Sequence, residues 1–188
     1  KKLLLILLCL PMIGFGQKTY VPDDNFEQAL IDLGYDNVLD DSVLTSNINT
    51  ITVLNVSSTN TPDTNGIADL TGIEGFTALT YLGCSFNQLT SLDVSNNLAL
   101  DTLNCGESQL TSLDVSNNLA LIYLQCSSNH LTSLDVSNNL ALTNLYCGSN
   151  QLTSLDVSNN TALTYLNCCA NQITSLDVSN NIALTDLA

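Results

Sequence analysis

The chain has 188 residues, 45% hydrophobic and 11% charged, with eighteen acidic side chains against three lysines, no arginine, and a formal net charge of −15. Phosphate recognition draws on several Lys or Arg contacts, so nucleic acid is excluded as a partner and anionic membrane surfaces are disfavoured. A single histidine, His130, leaves no histidine network for catalysis, while the length suffices to bury a sizeable core.

Residues 1–16 read as a signal peptide. Lys1 and Lys2 precede an apolar run from Leu3 to Leu10, and Gly14 and Gly16 flank Phe15 as a small-x-small cleavage site ending at Gly16. The run is far shorter than the roughly 20 residues that span a bilayer, so no membrane insertion is expected. Cys9 follows Leu7-Leu8 rather than a small residue and sits too early in the run for a lipoprotein signal.

Residues 17–66 read as an N-terminal cap carrying the first strand. Asp23-Asp24 is a helix start signal for a segment through Phe26, Ala29, Leu30 and Leu33, with Gly34 as its stop. The stretch Ile51-x-Val53-Leu54-x-Val56 alternates as a strand, and a loop rich in Ser, Thr, Asn and Pro follows, through Gly66. Asp63-Thr64-Asn65-Gly66 resembles part of a calcium loop, but the remaining ligands do not follow and a turn is the reading.

Residues 67–188 form a repeat array. Ile67, Leu70, Ile73, Phe76 and Leu79, spaced by three, make a degenerate first copy. A 21-residue unit then recurs as Leu79 to Ala99, Leu100 to Ala120, Leu121 to Ala141, Leu142 to Ala162 and Leu163 to Ala183, and a sixth copy starts at Leu184 and stops at Ala188. One such unit cannot bury its own apolar face, so successive copies stack into a solenoid with a continuous core. Its first coil needs a cap, which residues 17–66 supply; no comparable cap stands at the other end, so the sequence reads as a fragment.

The shared pattern L-x-x-L-x-C-x-x-N-x-L, as in Leu79-Thr80-Tyr81-Leu82-Gly83-Cys84-Ser85-Phe86-Asn87-Gln88-Leu89, resembles the leucine-rich repeat. The short period and the export signal make it most similar to internalin-like repeats of secreted bacterial proteins. The resemblance covers about residues 46–188, with cysteine at the sixth position in place of the usual leucine and Ser108 in place of the asparagine of the second full repeat. It implies an α/β leucine-rich-repeat solenoid, helix-poor, with a parallel β-sheet on one face, short extended or 3₁₀ segments on the other and a small N-terminal helical cap. It also implies interaction or adhesion work by a bacterial protein, secreted or at the cell surface; one scaffold of this kind serves many partners, so it does not name the ligand.

Within one repeat, Leu82 and Cys84 point inward while Tyr81, Gly83 and Ser85 point outward, and neighbouring copies pair as parallel strands about 4.8 Å apart. Asn87, Asn129, Asn150 and Asn171 fall where the chain leaves the strand and are expected to satisfy backbone groups as a ladder. In the second half Leu92 and Val94 point inward and Asp93 outward, Asn96-Asn97 turns the chain, and Ala99 leaves room for close packing. Cys84, Cys105, Cys126, Cys147 and Cys168 recur every 21 residues without paired C-x-x-C spacing, which makes them buried small hydrophobes rather than metal ligands or disulfides. Cys169 projects outward, the one thiol placed to react.

Asp93, Asp114, Asp135, Asp156 and Asp177 stack down one side. At coil spacing each neighbouring pair repels by about 0.9 kcal/mol in water and about 3.5 kcal/mol at an effective dielectric of 20. A solvated, hydrogen-bonded column is the main reading and calcium held by those aspartates the alternative, although the glycine-rich spacing of calcium-binding β-rolls is absent. His130 occupies a position filled by Gln88, Gln109, Gln151 and Gln172 in its siblings and reads as a polar surface residue.

The outward strand positions make an almost uncharged face on which Tyr81, Thr102, Asn104, Tyr123, Gln125, Asn144, Tyr146, Tyr165 and Asn167 are the candidate ligand-binding residues. The leading expectation is a binding module for a protein or glycan. The alternatives are a structural spacer or surface-layer element, with water or ice ordering by Thr90, Thr111, Thr132, Thr153 and Thr174 as a variant, or the targeting arm of a larger enzyme. No nucleophile–base pair, metal cluster or phosphate loop stands out, so no catalytic residue and no cofactor are expected.

Overall fold

The computed structural model describes residues 16–58 and 66–188. The expected signal segment, with Cys9, and the Asp63–Asn65 part of the calcium-loop-like stretch lie outside the described residues. Helix α1, Asp24–Asp32, begins where Asp23 acts as its N-cap, the Asp23 carboxylate accepting from the backbone N–H groups of Asn25 and Phe26. The other oxygen of Asp23 accepts from Ala68 and Asp69 N–H at 2.8 and 3.0 Å, so the cap residue also ties the helix to the first coil. Gly34 ends the helix at φ +80°, its N–H donating to the Ile31 carbonyl.

The helix buries Phe26 and Leu30, four apart and so on one face, together with Glu27. The Glu27 carboxylate is fully buried and accepts from the N–H groups of Asp40, Asp41 and Ser42 at 3.0, 3.1 and 2.9 Å, which folds the 36–42 loop back over α1. A small antiparallel pair, β1 (Lys18–Tyr20) and β2 (Ser42–Leu44), and a one-turn helix α2 (Thr45–Ile48) complete the cap. These three elements did not emerge from the sequence pattern; each is three or four residues long, below the length at which a period can be read.

The main sheet has seven parallel strands in chain order: β3 (Val53–Asn55), β4 (Tyr81–Gly83), β5 (Thr102–Asn104), β6 (Tyr123–Gln125), β7 (Asn144–Tyr146), β8 (Tyr165–Asn167) and β9 (Asp186–Leu187). Strand β3 is shorter than the expected Ile51–Val56 stretch. All strands pair in register, which stacks Leu54, Leu82, Leu103, Leu124, Leu145 and Leu166 as one fully buried column. Ile67, Leu70, Ile73, Phe76 and Leu79 of the degenerate first coil are buried, with one 3₁₀ turn at Ile73–Gly75.

The return side of each full repeat is extended with two consecutive turns, Asn97 N–H donating to Val94 and Leu100 N–H to Asn97; a 3₁₀ segment does not form there. Two expectations are corrected. Gly83 and Ser85 lie on the outward side as expected but are buried rather than open, because side chains of neighbouring coils close over them: a Cβ on Gly83 would stand 2.7 Å from Asn55 Oδ1, and Ser85 Oγ bonds Asn104. Ala99, Ala120 and Ala141 are exposed beside the exposed Leu98, Leu119 and Leu140, so close packing does not fall on the alanine.

Close packing falls instead on the second asparagine of each Asn-Asn pair. Asn97, Asn118, Asn139 and Asn160 are fully buried, and each Nδ2 donates to two backbone carbonyls of the coil before it; for Asn139 these are Val115 and Asn118 at 3.0 and 2.9 Å. The expected ladder is also present: Asn129 accepts from Leu110 N–H and donates to the carbonyls of Cys105 and Cys126, and Asn87, Asn150 and Asn171 repeat the arrangement. At Ser108 this ladder has a gap, and the buried Ser108 hydroxyl has no hydrogen-bond partner.

Candidate functional site: the sheet face

Parallel pairing in register turns sequence spacing into rows. The first strand position gives Tyr81, Thr102, Tyr123, Asn144 and Tyr165, and the third gives Gly83, Asn104, Gln125, Tyr146 and Asn167. Every predicted face residue therefore lies on this one face, and each is half-buried. Tyr146 sits in the third row of β7, diagonal to Tyr123 on β6 and Tyr165 on β8. Its ring centroid lies 5.4 Å from Tyr123 and 4.6 Å from Tyr165, the latter pair stacked with an interplanar angle of 26°. Burial, then the neighbouring phenol of Tyr146, pushes the Tyr123 hydroxyl above its ordinary value, so it is protonated at neutral pH.

The amides of the face are oriented by their own coil or, for Asn104, by the coil before it. Gln125 Oε1 accepts from Ser127 N–H at 2.6 Å, Asn167 Oδ1 from Cys169 N–H at 3.3 Å, Asn144 Oδ1 from the Thr143 hydroxyl at 2.8 Å, and Asn104 Oδ1 bonds Ser85. Each amide thus commits its oxygen to a bond within the protein, while among the described residues no hydrogen bond holds its NH₂ group. The sequence carried no sign of this, because amide orientation depends on which backbone N–H the turn after the strand leaves over.

The cysteine column lies directly behind the face. Cys84, Cys105, Cys126 and Cys147 are buried free thiols, and burial pushes Cys105 and Cys147 up to about 12. They stay protonated and pack as small hydrophobes. Cys168 in the last full coil is half-buried, and Cys169 is exposed on the face.

The aspartate column lies elsewhere on the coil and is solvated. Asp93, Asp114, Asp135, Asp156 and Asp177 are exposed, and each Oδ1 accepts from the N–H of the serine two positions on at 2.9 Å. Hydrogen bonding to those serines holds the carboxyls below their usual range, against a smaller opposing effect of burial. Among the described residues no group of three or more His, Cys, Asp or Glu side chains is placed to hold a metal ion. His130 is exposed, as are Thr90, Thr111, Thr132, Thr153 and Thr174.

Parallel coils of 21 residues, an asparagine at the strand exit of every full repeat but the second, and one parallel sheet face together define a leucine-rich-repeat solenoid. No protein-family model matches the chain. Internalin J of Listeria monocytogenes serotype 4b is 42% identical over 78 residues, 42% of this chain and 8% of the relative. The solved functional domain of InlJ from Listeria monocytogenes, which includes a cysteine ladder, superposes with a TM-score of 0.81 at 41% identity over 92% of this chain and 38% of its own. The internalin InlF from the same species gives 0.78 at 25% identity over 89% of this chain and 49% of its own. The chain is an internalin-like leucine-rich-repeat protein, and it spans less than half the length of each of these relatives.

Proposed function

We propose that this chain is the protein-binding module of an exported bacterial protein, and that a partner docks on the sheet face around Tyr123, Tyr146 and Tyr165. The similarity to internalins supports an interaction module, and the signal-like residues 1–16 support secretion or a cell-surface position; residues 17–66 then serve as cap and 67–188 as the binding array. Among the described residues no helix is long and apolar enough to cross a membrane. The proteins it resembles are internalins, and its lone histidine is exposed, so the reading is not enzymatic.

The observation that carries the choice of a protein over a glycan is the orientation of the face groups. Sugars are held by open ring faces and by amides offering both an oxygen and an NH₂ to adjacent hydroxyls. Here Tyr146 packs between two neighbouring rings, and the oxygens of Asn104, Gln125, Asn144 and Asn167 each already accept one bond within the protein. Phenol hydroxyls and NH₂ donors with no bond of their own remain for a partner, which suits peptide carbonyls.

Photo-crosslinking tests this. A benzophenone side chain at Gln125 in the exported protein is expected to capture a discrete protein, the same side chain at Asn138 on the return side is not, and Tyr123→Ala with Tyr146→Ala abolishes the capture. Equal capture from both positions, or capture indifferent to the tyrosines, moves the site off this face.

A further inference from the structure

The tyrosine stack has two ends, and both are acidic. Asp186 is the register partner of Tyr165 on β9 and so occupies the face position one strand beyond the last ring. At the other end Thr102 is the partner of Tyr123 on β5, and Asp101 immediately precedes it. Each carboxylate commits one oxygen to a neighbouring threonine hydroxyl, Asp186 to Thr185 at 2.8 Å and Asp101 to Thr102 at 2.7 Å, which fixes the side chain and leaves the second oxygen for a partner. The array from residue 67 onward contains no lysine or arginine to neutralise them. Lys18 lies in the cap and is already paired with Asp40 at 2.8 Å.

An aromatic plate next to a carboxylate is the chemistry that holds a guanidinium: the planar cation lies on the ring while its N–H fork reaches the acid. An ammonium gains less, because it has no plane to stack and holds its water more tightly. The whole chain, at a net charge of −15, draws a basic partner toward this otherwise uncharged face. We propose that the tyrosine stack, with Asp101 and Asp186 at its ends, is a docking site for arginine side chains of a basic partner protein. The proposal rests on the reading of this face as a protein-binding surface, and it adds the partner's chemistry: arginines seated at the two ends of the stack, with the intervening main chain bonded by Gln125, Asn144 and Asn167.

The test uses the full protein and a fluorescent 12-residue peptide with arginine at alternate positions among serines, together with its lysine and citrulline counterparts, read by anisotropy at two salt concentrations. The arginine peptide is expected to bind on the order of 10-fold tighter than the citrulline peptide and a few-fold tighter than the lysine peptide, weakening with salt. Asp186→Asn and Tyr146→Leu each weaken it by about 5-fold or more, whereas Asp135→Asn, which removes the same charge from the aspartate column, changes it by less than about 2-fold. Unchanged urea midpoints certify that the variants are folded. Equal binding of the lysine and arginine peptides, with Asp135→Asn as damaging as Asp186→Asn, overturns the proposal in favour of general acidity. Binding of all three peptides alike, lost in Tyr146→Leu, overturns the arginine site while leaving the docking face intact. Binding indifferent to Tyr146, together with no capture from Gln125, removes the docking face itself.

Discussion

Each coil has a return side and a face, and the two are built by opposite rules. On the return side the sequence Thr-Ser-Leu-Asp-Val-Ser-Asn-Asn is repeated without change, and the structure shows why: the second asparagine is buried and bonded to the coil before it, Val94, Val115, Val136 and Val157 are fully buried, and the aspartate closes a turn onto the serine. On the face the same strand position is filled in turn by Tyr81, Thr102, Tyr123, Asn144 and Tyr165. Uniformity marks the positions that hold the solenoid together, because every coil must satisfy the same backbone groups of its neighbour. Variation marks positions whose side chains are free to differ, and those are the positions available for recognition.

Adjacent asparagines test that contrast most severely. Asn139→Ala removes two bonds to the carbonyls of Val115 and Asn118, which keep the N–H groups of Asn118 and Leu121 as donors, and is expected to destabilise by about 1–3 kcal/mol in urea unfolding, at about 0.5–1.5 kcal/mol for each bond lost. Asn138→Ala, one residue away, loses only an exposed contact of 3.4 Å to Ser116 and is expected within about 0.5 kcal/mol of the parent. Equal losses from the two would mean that the buried column does not carry the stacking. On the face, Tyr146→Ala is expected to cost about 1–3 kcal/mol, from two ring contacts of about 0.5–1.5 kcal/mol each.

The gap at Ser108 offers the reverse experiment. An asparagine there follows Glu107, whose left-handed backbone matches that of Phe86 and Ser128 before Asn87 and Asn129, and replaces a buried hydroxyl that has no partner. Its Oδ1 is placed to accept from Leu89 N–H, the bond that Leu110, Leu131 and Leu152 make to their own asparagines. Ser108→Asn is expected to stabilise by about 1–2 kcal/mol, seen as a higher urea midpoint at unchanged slope. A destabilised variant would show that the second full coil has repacked around the serine.

Much of this was legible in the sequence, and for a physical reason. A strict 21-residue period forces the coils into register, so Leu82, Cys84, Asn87 and the face rows are readable as soon as the strand position is known. Asp23 and Gly34 announce the ends of α1 because both act locally. What stayed hidden depends on contacts between coils. Asn97 and Asn96 look alike in sequence, and only the path of the turn decides which one is buried. The stacking of Tyr146 between Tyr123 and Tyr165 needs a diagonal across three strands, and burial of Gly83 and Ser85 comes from side chains one coil away.

A smaller effect separates backbone strain from side-chain packing at the corner between face and return side. The residue before each ladder position, the asparagines and Ser108 alike, has a left-handed backbone: Phe86 at φ 58°, Glu107 at 51°, Ser128 at 55°, Ser149 at 53° and Ala170 at 52°. None is glycine, although that conformation costs an L-residue about 1–2 kcal/mol. Ser128→Gly removes the steric cost in the folded chain but adds freedom to the unfolded one, about 0.5–1 kcal/mol in the opposite sense, so a net gain of roughly 0.5 kcal/mol is expected. A loss of stability would mean that the Ser128 side chain contributes to the corner beyond its backbone.

The aspartate column should give the smallest signal, and its sign follows from its hydrogen bonds. The ionised carboxylate is the better acceptor for the serine groups, which is why the folded state holds these acids below their ordinary range. A group lowered on folding contributes stability above its unfolded value near pH 4 and loses it as pH falls through the folded value. The thermal midpoint of the protein should therefore be level from neutral pH to about 5 and decline below about 4. Asp135→Asn keeps an oxygen acceptor for Ser137 but removes the titration and the repulsion from Asp114 and Asp156, so its midpoint should match the parent at neutral pH and decline less on acidification. A midpoint that instead rises as the column is protonated would show that repulsion along the column outweighs the serine bonds. The return side would then owe its stacking to the buried asparagines alone.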